Sequence, residues 1–261
     1  MLLLQSLGTK VLLVLRKVRH MKKEVMKAKM KTYRKPAKAK DNYVGIEIEF
    51  SSPFPEDQVM DMLIEHKLNK YIQIGYDGHP PVGHVGYEWK VLVKEKELKK
   101  VLDALSKVIG LIGGISNDSC GLHVHLDMRH RNAEKVYNNL VRAQKILYGV
   151  ADQRRTTSRW CMPSNTPELI KATRGKNSGI NPHLSATKNT IEVRIREGIV
   201  DTNDMYNWVC LLTSIADNEM LNEEVNKVSD LQRVTALNEA IREYVSTRVR
   251  ANARTDLLEA A

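Results

Sequence analysis

The 261-residue chain has little cysteine, and its three cysteines lie far apart. Cys120, Cys161 and Cys210 form no Cys-x-x-Cys pair, which argues against a disulfide framework and against a zinc centre built on thiolates. We therefore expect reduced cysteines with a packing role in a cytoplasmic protein.

Long apolar runs and phosphate-binding loops are also missing. Lys10 interrupts the apolar residues 1–15, and a run of this length is too short to span a bilayer. No small-residue cleavage site follows it, which argues against a secretory signal, although an amphipathic helix on a membrane surface fits the same residues. Because neither a Walker A loop nor a glycine-rich kinase loop occurs, any bound nucleotide must lie on a sheet face.

Acidic side chains are scarce in residues 1–40, which hold thirteen Lys and Arg but only Glu24 as an acid. The net charge of +10 therefore belongs to this segment, since residues 41–261 carry a net charge of −2. We predict a basic leader, helical or disordered, followed by one domain over residues 41–261. Such a leader either contacts nucleic acid, an anionic membrane or an acidic partner, or is a solvated tail, and Met21 is an alternative start.

Four stretches of the domain alternate apolar residues with charged or imidazole side chains: residues 46–50, 87–91, 122–127 and 191–196. Side chains of a β-strand point alternately to opposite faces. If the four strands share one sheet, their aliphatic side chains form a core on one face. The other face then gathers Glu47, Glu49, Glu88, His123, His125, Glu192, Arg194 and Arg196.

An ordinary antiparallel sheet with one solvated face shows the same alternation. The composition of the polar set favours a binding site, because glutamate is depleted in strands and neighbouring glutamates on one face repel each other without a cation. Carboxylates and imidazoles bind Mg²⁺ or Mn²⁺, whereas guanidinium groups bind phosphates or carboxylates. The pattern predicts two or more divalent cations beside a phosphate site.

The hydrophobic periodicity predicts an α+β fold with helices on one face of the sheet, which leaves the charged face open to a ligand. Strands are expected near residues 43–50, 84–93, 119–128 and 183–197. Helices are expected near residues 56–70, 94–111, 132–151, 203–220 and 228–258. Residues 152–182 are expected to form an irregular connection.

Clustered cations beside arginines suit phosphoryl transfer, in which metals bridge phosphate oxygens and arginine stabilises the developing charge. The same ligands suit a metal-dependent phosphodiesterase or nuclease, for which the basic leader would supply phosphate contacts. A degenerate nucleotide-binding module and a purely structural sheet are the remaining interpretations.

Three of the stretches resemble the signature strands of the glutamine synthetase superfamily of carboxylate-amine ligases: Gly45-x-Glu47-x-Glu49, residues 121–125 and residues 191–194. The resemblance to the amidoligase family is closer and extends from about Tyr43 to Trp208. The shared order is Gly-x-Glu-x-Glu, an Asp-Gly loop, a Gly-x-Glu strand, Cys-Gly-x-His-x-His-x-Asp, an Arg-rich segment, an Asn-containing segment, Thr-Ile-Glu-x-Arg, Glu-Gly and Asn-Trp. Each piece is weak alone, and their order makes the set specific.

The resemblance implies a largely antiparallel curved sheet, with helices on one face and the active site on the other. It implies ATP and Mg²⁺ or Mn²⁺ as cofactors. The implied metal ligands are Glu47, Glu49, Glu88, His123 and Glu192.

Further roles follow from the same resemblance. His125 would contact ATP phosphate, and Arg194 would hold phosphate or an acyl-phosphate intermediate. Arg155 and Arg159 match the family's Arg-rich substrate or phosphate segment, and Asn181 matches its Asn position.

Other residues leave alternatives open. Arg196 is expected on the polar face, where it either assists Arg194 or forms a salt bridge with a neighbouring carboxylate. The family often reads Asp-Gly-Ser where this chain has Asp77-Gly78-His79, so Asp77 is a contact for the substrate amine, a contact for a cation, or a turn residue. His84 is either an added ligand or a surface histidine.

The implied reaction joins a carboxylate to an amine. ATP phosphorylates the carboxylate, the amine displaces phosphate from the acyl phosphate, and active-site acids accept the proton of the amine. An amino acid, a peptide, a polyamine and a protein side chain all fit this chemistry as substrates.

Overall fold

The structure is a computed structural model, and it describes residues 41–76, 80–172, 177–185 and 188–259. The basic leader, Asp77 and His79 lie outside the described residues. Among the helices that are described, none has both the length and the apolar character needed to cross a membrane. The three cysteines are free, and Cys120 and Cys161 are buried.

Six strands form one sheet in which every neighbouring pair is antiparallel. They are β1 (Tyr43–Ser52), β2 (Ile72–Tyr76), β3 (Val85–Lys94), β4 (Gly121–Asp127), β5 (Ile180–Leu184) and β6 (Asn189–Glu197). The order across the sheet is β2-β3-β1-β4-β6-β5, so β1 and β4 lie at its centre.

The α-helices of the described chain lie mostly between and after these strands. They are α1 (Glu56–Glu65), α2 (Leu98–Leu111), α3 (Ala133–Arg142), α4 (Gln144–Val150), α5 (Thr202–Asp217), α6 (Val228–Val234) and α7 (Glu239–Glu259). Side chains cap three of them: Asn132 accepts a hydrogen bond from the Lys135 N–H before α3, Asp201 accepts from the first turn of α5, and Asn238 accepts from the Ile241 N–H before α7. The predicted α+β class is confirmed.

One apolar core joins the sheet to the helices. Every second residue of β1, from Val44 through Ile46 and Ile48 to Phe50, is buried in this core with the apolar sides of the helices. Phe50 meets Trp89 of β3 edge to face, with ring centroids 4.7 Å apart. The alternation thus works as expected, and the intervening side chains of β1 point to the opposite face.

Several predicted elements differ from the observed ones. The strand expected over residues 183–197 is the hairpin of β5 and β6, closed where the Ser185 N–H donates to the Lys188 carbonyl. β2 was not expected at all. The helix predicted over residues 132–151 is interrupted at Ala143. The helix predicted over residues 228–258 is interrupted at residues 235–238, and Asn238 Oδ1 accepts the N–H of Ile241 at the start of α7.

The strand β6 contains one extra residue relative to β4. Val193 pairs with Val124 but Arg196 pairs with Leu122, so three steps along β6 oppose two steps along β4. An extra residue of this kind reverses the face that the following side chains occupy. Arg196 therefore lies on the core side beside Leu122 and is fully buried, and the expectation that it shares the polar face is wrong.

Candidate metal centre

The register of the three central strands brings the polar side chains together. Glu47 of β1 lies directly opposite His123 of β4, and His125 of β4 lies directly opposite Glu192 of β6. Directly opposite residues of an antiparallel pair have Cβ atoms about 5 Å apart. Polar groups that are up to 145 residues apart in the sequence therefore share one small area of the sheet.

Glu47, His123 and Glu192 each offer a ligand atom, and these atoms lie within 4.8 Å of one another. His123 Nδ1 is 3.3 Å from Glu47 Oε2 and 3.9 Å from Glu192 Oε1. The other ring nitrogen, Nε2, is 3.7 Å from Glu49 Oε1. Ligands about 2.1 Å from an ion lie roughly 3–4 Å apart, so these three residues fit one small divalent cation.

His125 provides an independent indication that the cluster is built for a ligand. Its Nε2 is buried and, within the described residues, has no hydrogen-bond partner. It lies 3.6 Å from Glu47 Oε1 and 3.6 Å from Glu192 Oε1, while its Nδ1 is 3.4 Å from Thr190 Oγ1. A buried nitrogen without a partner destabilises the free protein, and a ligand between the carboxylates would satisfy it.

Two glycines of the sequence motifs make room for the imidazoles. A Cβ on Gly45 would lie 3.2 Å from Cβ of His125, and a Cβ on Gly121 would lie 2.7 Å from His123 Nε2. The Gly121 N–H also donates to Glu49 Oε2 at 2.6 Å. Both glycines are therefore explained by the rings that pack across them.

The protein keeps the two central carboxylates ionised. Burial raises the pKa of Glu47, but the nearby imidazoles of His123 and His125 and the charge of Lys90 outweigh it, so this pKa lies well below its usual range. For Glu192, burial is outweighed mainly by His125 and Arg194, which lowers its pKa to about 2. Carboxylates that stay charged at neutral pH are competent metal ligands.

A candidate phosphate-binding group adjoins the candidate metal ligands. Arg194 Nη1 lies 2.7 Å from Glu192 Oε1, and among the described residues Arg194 Nε is buried without a partner. Because a guanidinium group carries five N–H donors, Arg194 can contact Glu192 and an anion at the same time.

Asn181 lies beside Glu192 in the cluster, whereas Arg155 of the irregular segment contacts the main chain of β6. Asn181 is 2% exposed and its Nδ2 is 3.3 Å from Glu192 Oε2. Arg155 donates from Nε to the Ile195 carbonyl and from Nη2 to the carbonyls of Arg194 and Arg196. It therefore holds the main chain of β6 at the extra residue, and a role with substrate stays a prediction.

Two other predicted residues lie apart from the cluster. Arg159 is exposed, with its guanidinium carbon 4.6 Å from the ring centroid of Trp160. The ring of His84 lies before β3, with Nδ1 3.4 Å from the Val82 carbonyl oxygen.

Two residues of the cluster were missed from the sequence. His183 Nε2 lies 2.7 Å from Glu192 Oε2, and its ring centroid is 6.1 Å from that of His125. Lys90 Nζ lies 3.1 Å from Glu47 Oε1 and 2.9 Å from Glu88 Oε2. Each of them lies two residues after a predicted site residue on the same strand, His183 after Asn181 and Lys90 after Glu88, and this spacing places both on the polar face.

No protein-family model matches the chain, and no curated protein is detectably similar to it in sequence. The resemblance to the amidoligase family therefore rests on the sequence motifs alone.

Proposed function

We propose that the protein is an ATP-dependent carboxylate-amine ligase of the amidoligase type, with a glutamine synthetase-like fold. The observation that carries the proposal is the contact of 2.7 Å between Arg194 Nη1 and Glu192 Oε1. Through this contact a candidate phosphate ligand adjoins a candidate metal ligand, which is the arrangement that phosphoryl transfer uses. ATP and Mg²⁺ or Mn²⁺ are the proposed cofactors.

Glu47, His123 and Glu192 would hold the divalent ion, with Glu49 beside His123 as a further oxygen donor. When bound there, the ion would reduce the repulsion between the phosphates and an incoming carboxylate. Asn181 and His183 both contact Glu192 and would fix its orientation, as outer partners of metal ligands commonly do.

The chain's own residues would act on both halves of the reaction. A carboxylate oxygen of the substrate attacks the γ-phosphorus of ATP, the bond to ADP breaks, and an acyl phosphate forms. Arg194 would bind the transferred phosphoryl group, and His125 Nε2 would contact a phosphate oxygen. The amine nitrogen then attacks the acyl carbon, phosphate leaves, and a carboxylate of the polar face accepts the proton of the amine.

Three further parts of the proposal concern the setting of the reaction. The carboxylate substrate would be a small molecule or a peptide. The leader over residues 1–40 would contact nucleic acid, an anionic membrane or an acidic partner. The reaction would take place in the cytoplasm.

A screen for ADP release tests the proposal. Pools of carboxylates and amines are supplied with ATP and Mg²⁺, and hydroxylamine is added so that any acyl phosphate is trapped as a hydroxamate. We expect ADP and hydroxamate only when Mg²⁺ and a carboxylate are both present, and a loss of about 100-fold or more in Glu192→Gln. Asp127→Asn, on the same strand as His123 but bonded to Arg129, is the matched control.

Two outcomes would count against a ligase. Full activity of Glu192→Gln would remove the metal centre from the reaction. Cleavage of phosphodiesters without ATP, lost in the same variant, would favour the metal-dependent nuclease, which uses the same Glu47, His123 and Glu192.

A further inference from the structure

Lys90 places a positive charge inside the acidic cluster. It lies on β3 directly opposite Glu47 and two residues from Glu88. Its Nζ is 3.1 Å from Glu47 Oε1 and 2.9 Å from Glu88 Oε2, so a single ammonium group joins two carboxylates. The family resemblance assigns both of these carboxylates to metal ions.

Glu88 needs a cation because of its place in the sheet. It lies directly opposite Glu49 across the β1–β3 pair, and like charges in that position destabilise a sheet. A second divalent ion beside Glu47 and Glu88 would relieve this repulsion. The ammonium of Lys90 already lies between these two carboxylates, and it would repel an ion brought to the same place.

The charges at the centre of the polar face lead to the same conclusion. Among the described residues linked by ion pairs there, the carboxylates of Glu47, Glu49, Glu88 and Glu192 meet two fixed cations, Lys90 and Arg194. Lys90 pairs with Glu47 and Glu88, and Arg194 pairs with Glu192, so each of these three carboxylates has a fixed positive charge beside it before any ion binds.

We propose that Lys90 takes the place of a second metal ion, so that the site without nucleotide binds a single divalent ion through Glu47, His123 and Glu192. The inference rests on the metal centre of the proposed function, and it narrows the two or more ions expected from the sequence to one. Glu88 then acts as the partner of Lys90 and not as a metal ligand.

The test counts ions on the full chain with Mn²⁺ alone, by titration calorimetry and by metal analysis after gel filtration. We expect one ion per chain in the wild type and two in Lys90→Met. We expect Lys90→Met combined with Glu88→Gln to return to one ion, because the second ion would need the Glu88 carboxylate. Lys94→Met is the matched control, since Lys94 lies on the same strand and pairs with Asp41; it should bind one ion.

Glu88→Gln alone keeps the test decisive if Lys90→Met does not fold. We expect this variant to bind one ion with an affinity within about threefold of the wild type, whereas loss of a direct ligand costs about 100-fold. Two ions in the wild type, one ion in folded Lys90→Met, or a large loss of affinity in Glu88→Gln would each overturn the inference. Because no ATP is present, the ion count stays informative even if the screen for ADP release fails.

Discussion

Two clusters of charged residues both include residues of strand β6, and they differ in how their charges are paired. The site cluster consists of Glu47, Glu49, Glu88, Lys90, His123, His125, His183, Glu192 and Arg194 on the polar face. The buried cluster consists of Arg196, Glu197, Asp204, Tyr244 and Arg248 on the helix side. Glu192 and Arg196 are only four residues apart, yet they belong to different clusters.

The buried cluster pairs its charges with one another, although Arg196 Nε is buried without a hydrogen-bond partner among the described residues. Arg196 Nη2 donates to Asp204 Oδ2 at 2.7 Å, and Nη1 donates to the Val150 carbonyl at 3.2 Å and to Glu197. Arg248 Nη2 donates to Glu197 Oε1 at 2.8 Å, and Tyr244 donates to Asp204. A buried charge is stable when it is paired in this way, so this cluster ties α5 and α7 to the sheet.

The site cluster gathers carboxylates and imidazoles on one face of the sheet. Its carboxylates outnumber its fixed cations, and in the described part of the chain His125 Nε2 and Arg194 Nε are buried without hydrogen bonds. The difference teaches that charge alone does not mark a binding site. What distinguishes the site is the grouping of carboxylates and imidazoles around one point, which stability alone would not favour and a cation would complete.

The largest expected effect is on the buried cluster. Arg196→Met should lower the free energy of unfolding by about 3–5 kcal/mol, because it removes a fully buried partner from both Asp204 and Glu197. Urea denaturation measures the change. Arg233→Met is the control, since Arg233 is exposed and 3.8 Å from Asp230, and it should cost less than about 0.5 kcal/mol. A Met variant as stable as the wild type would mean that the cluster does not hold the helices.

A smaller loss of stability is expected in the site cluster. Glu47→Gln should weaken Mn²⁺ binding by about 100-fold or more, yet should lower the free energy of unfolding by less than Arg196→Met does, since Lys90 keeps Glu88 as a partner. Calorimetric titration and urea denaturation measure the two quantities. Wild-type affinity in this variant would exclude Glu47 from the centre, and a large loss of stability would remove the contrast between the clusters.

The carboxylate of Asp127 lies near the site and is paired with Arg129, so its charge is expected to contribute to stability. Burial raises the pKa of Asp127, but hydrogen bonds from the Arg129 side chain and main chain and from the Tyr43 N–H outweigh it, so the pKa is lowered. Its stabilisation is therefore complete above the unfolded pKa of about 3.9 and is lost as the pH falls through the lower folded value.

The consequence can be measured with Asp127→Asn. At pH 7 this variant should be less stable than the wild type by about 2 kcal/mol, the contribution of hydrogen bonds to a charged group. The difference should shrink as urea denaturation is repeated from pH 5 to pH 3. A difference that does not change with pH would show that the carboxylate charge contributes nothing.

The smallest expected effect concerns His183, which contacts Glu192 and not the ion. His183→Gln should weaken Mn²⁺ binding by about tenfold, because the orientation of Glu192 becomes less fixed. Calorimetric titration of His183→Gln and Glu47→Gln with Mn²⁺ compares the loss of affinity from an outer partner with that from a direct ligand. A loss in His183→Gln as large as that in Glu47→Gln would make His183 a direct ligand.

Much of the site was predictable because strand alternation has a simple geometric consequence. Glu47, His123 and Glu192 share a face whenever their strands share a sheet, and a period of two is visible without any tertiary information. The α+β class followed from the same pattern. His183 was missed because residues 183–197 were expected to form one strand, in which His183 would share the apolar face of Ile191 and Val193.

The fate of the arginines was not predictable. Glu192, Arg194 and Arg196 have the spacing of a single face, and only the pairing with β4 reveals the extra residue that separates Arg196. Likewise, an Arg-rich segment indicates anion binding, but Arg155 donates its hydrogen bonds to main-chain carbonyls of β6. Such choices depend on tertiary contacts that a local pattern does not contain.

The strand order has a consequence for how the molecule assembles. The three candidate ligands come from the first strand, the fourth and the last, which are joined side by side as β1, β4 and β6. An ion held by all three therefore binds only a chain in which β1 and β6 are both already paired with β4. Metal binding would therefore stabilise the completed sheet. A partly folded chain in which β6 has not yet paired with β4 would lack one ligand of the site and would bind the ion more weakly.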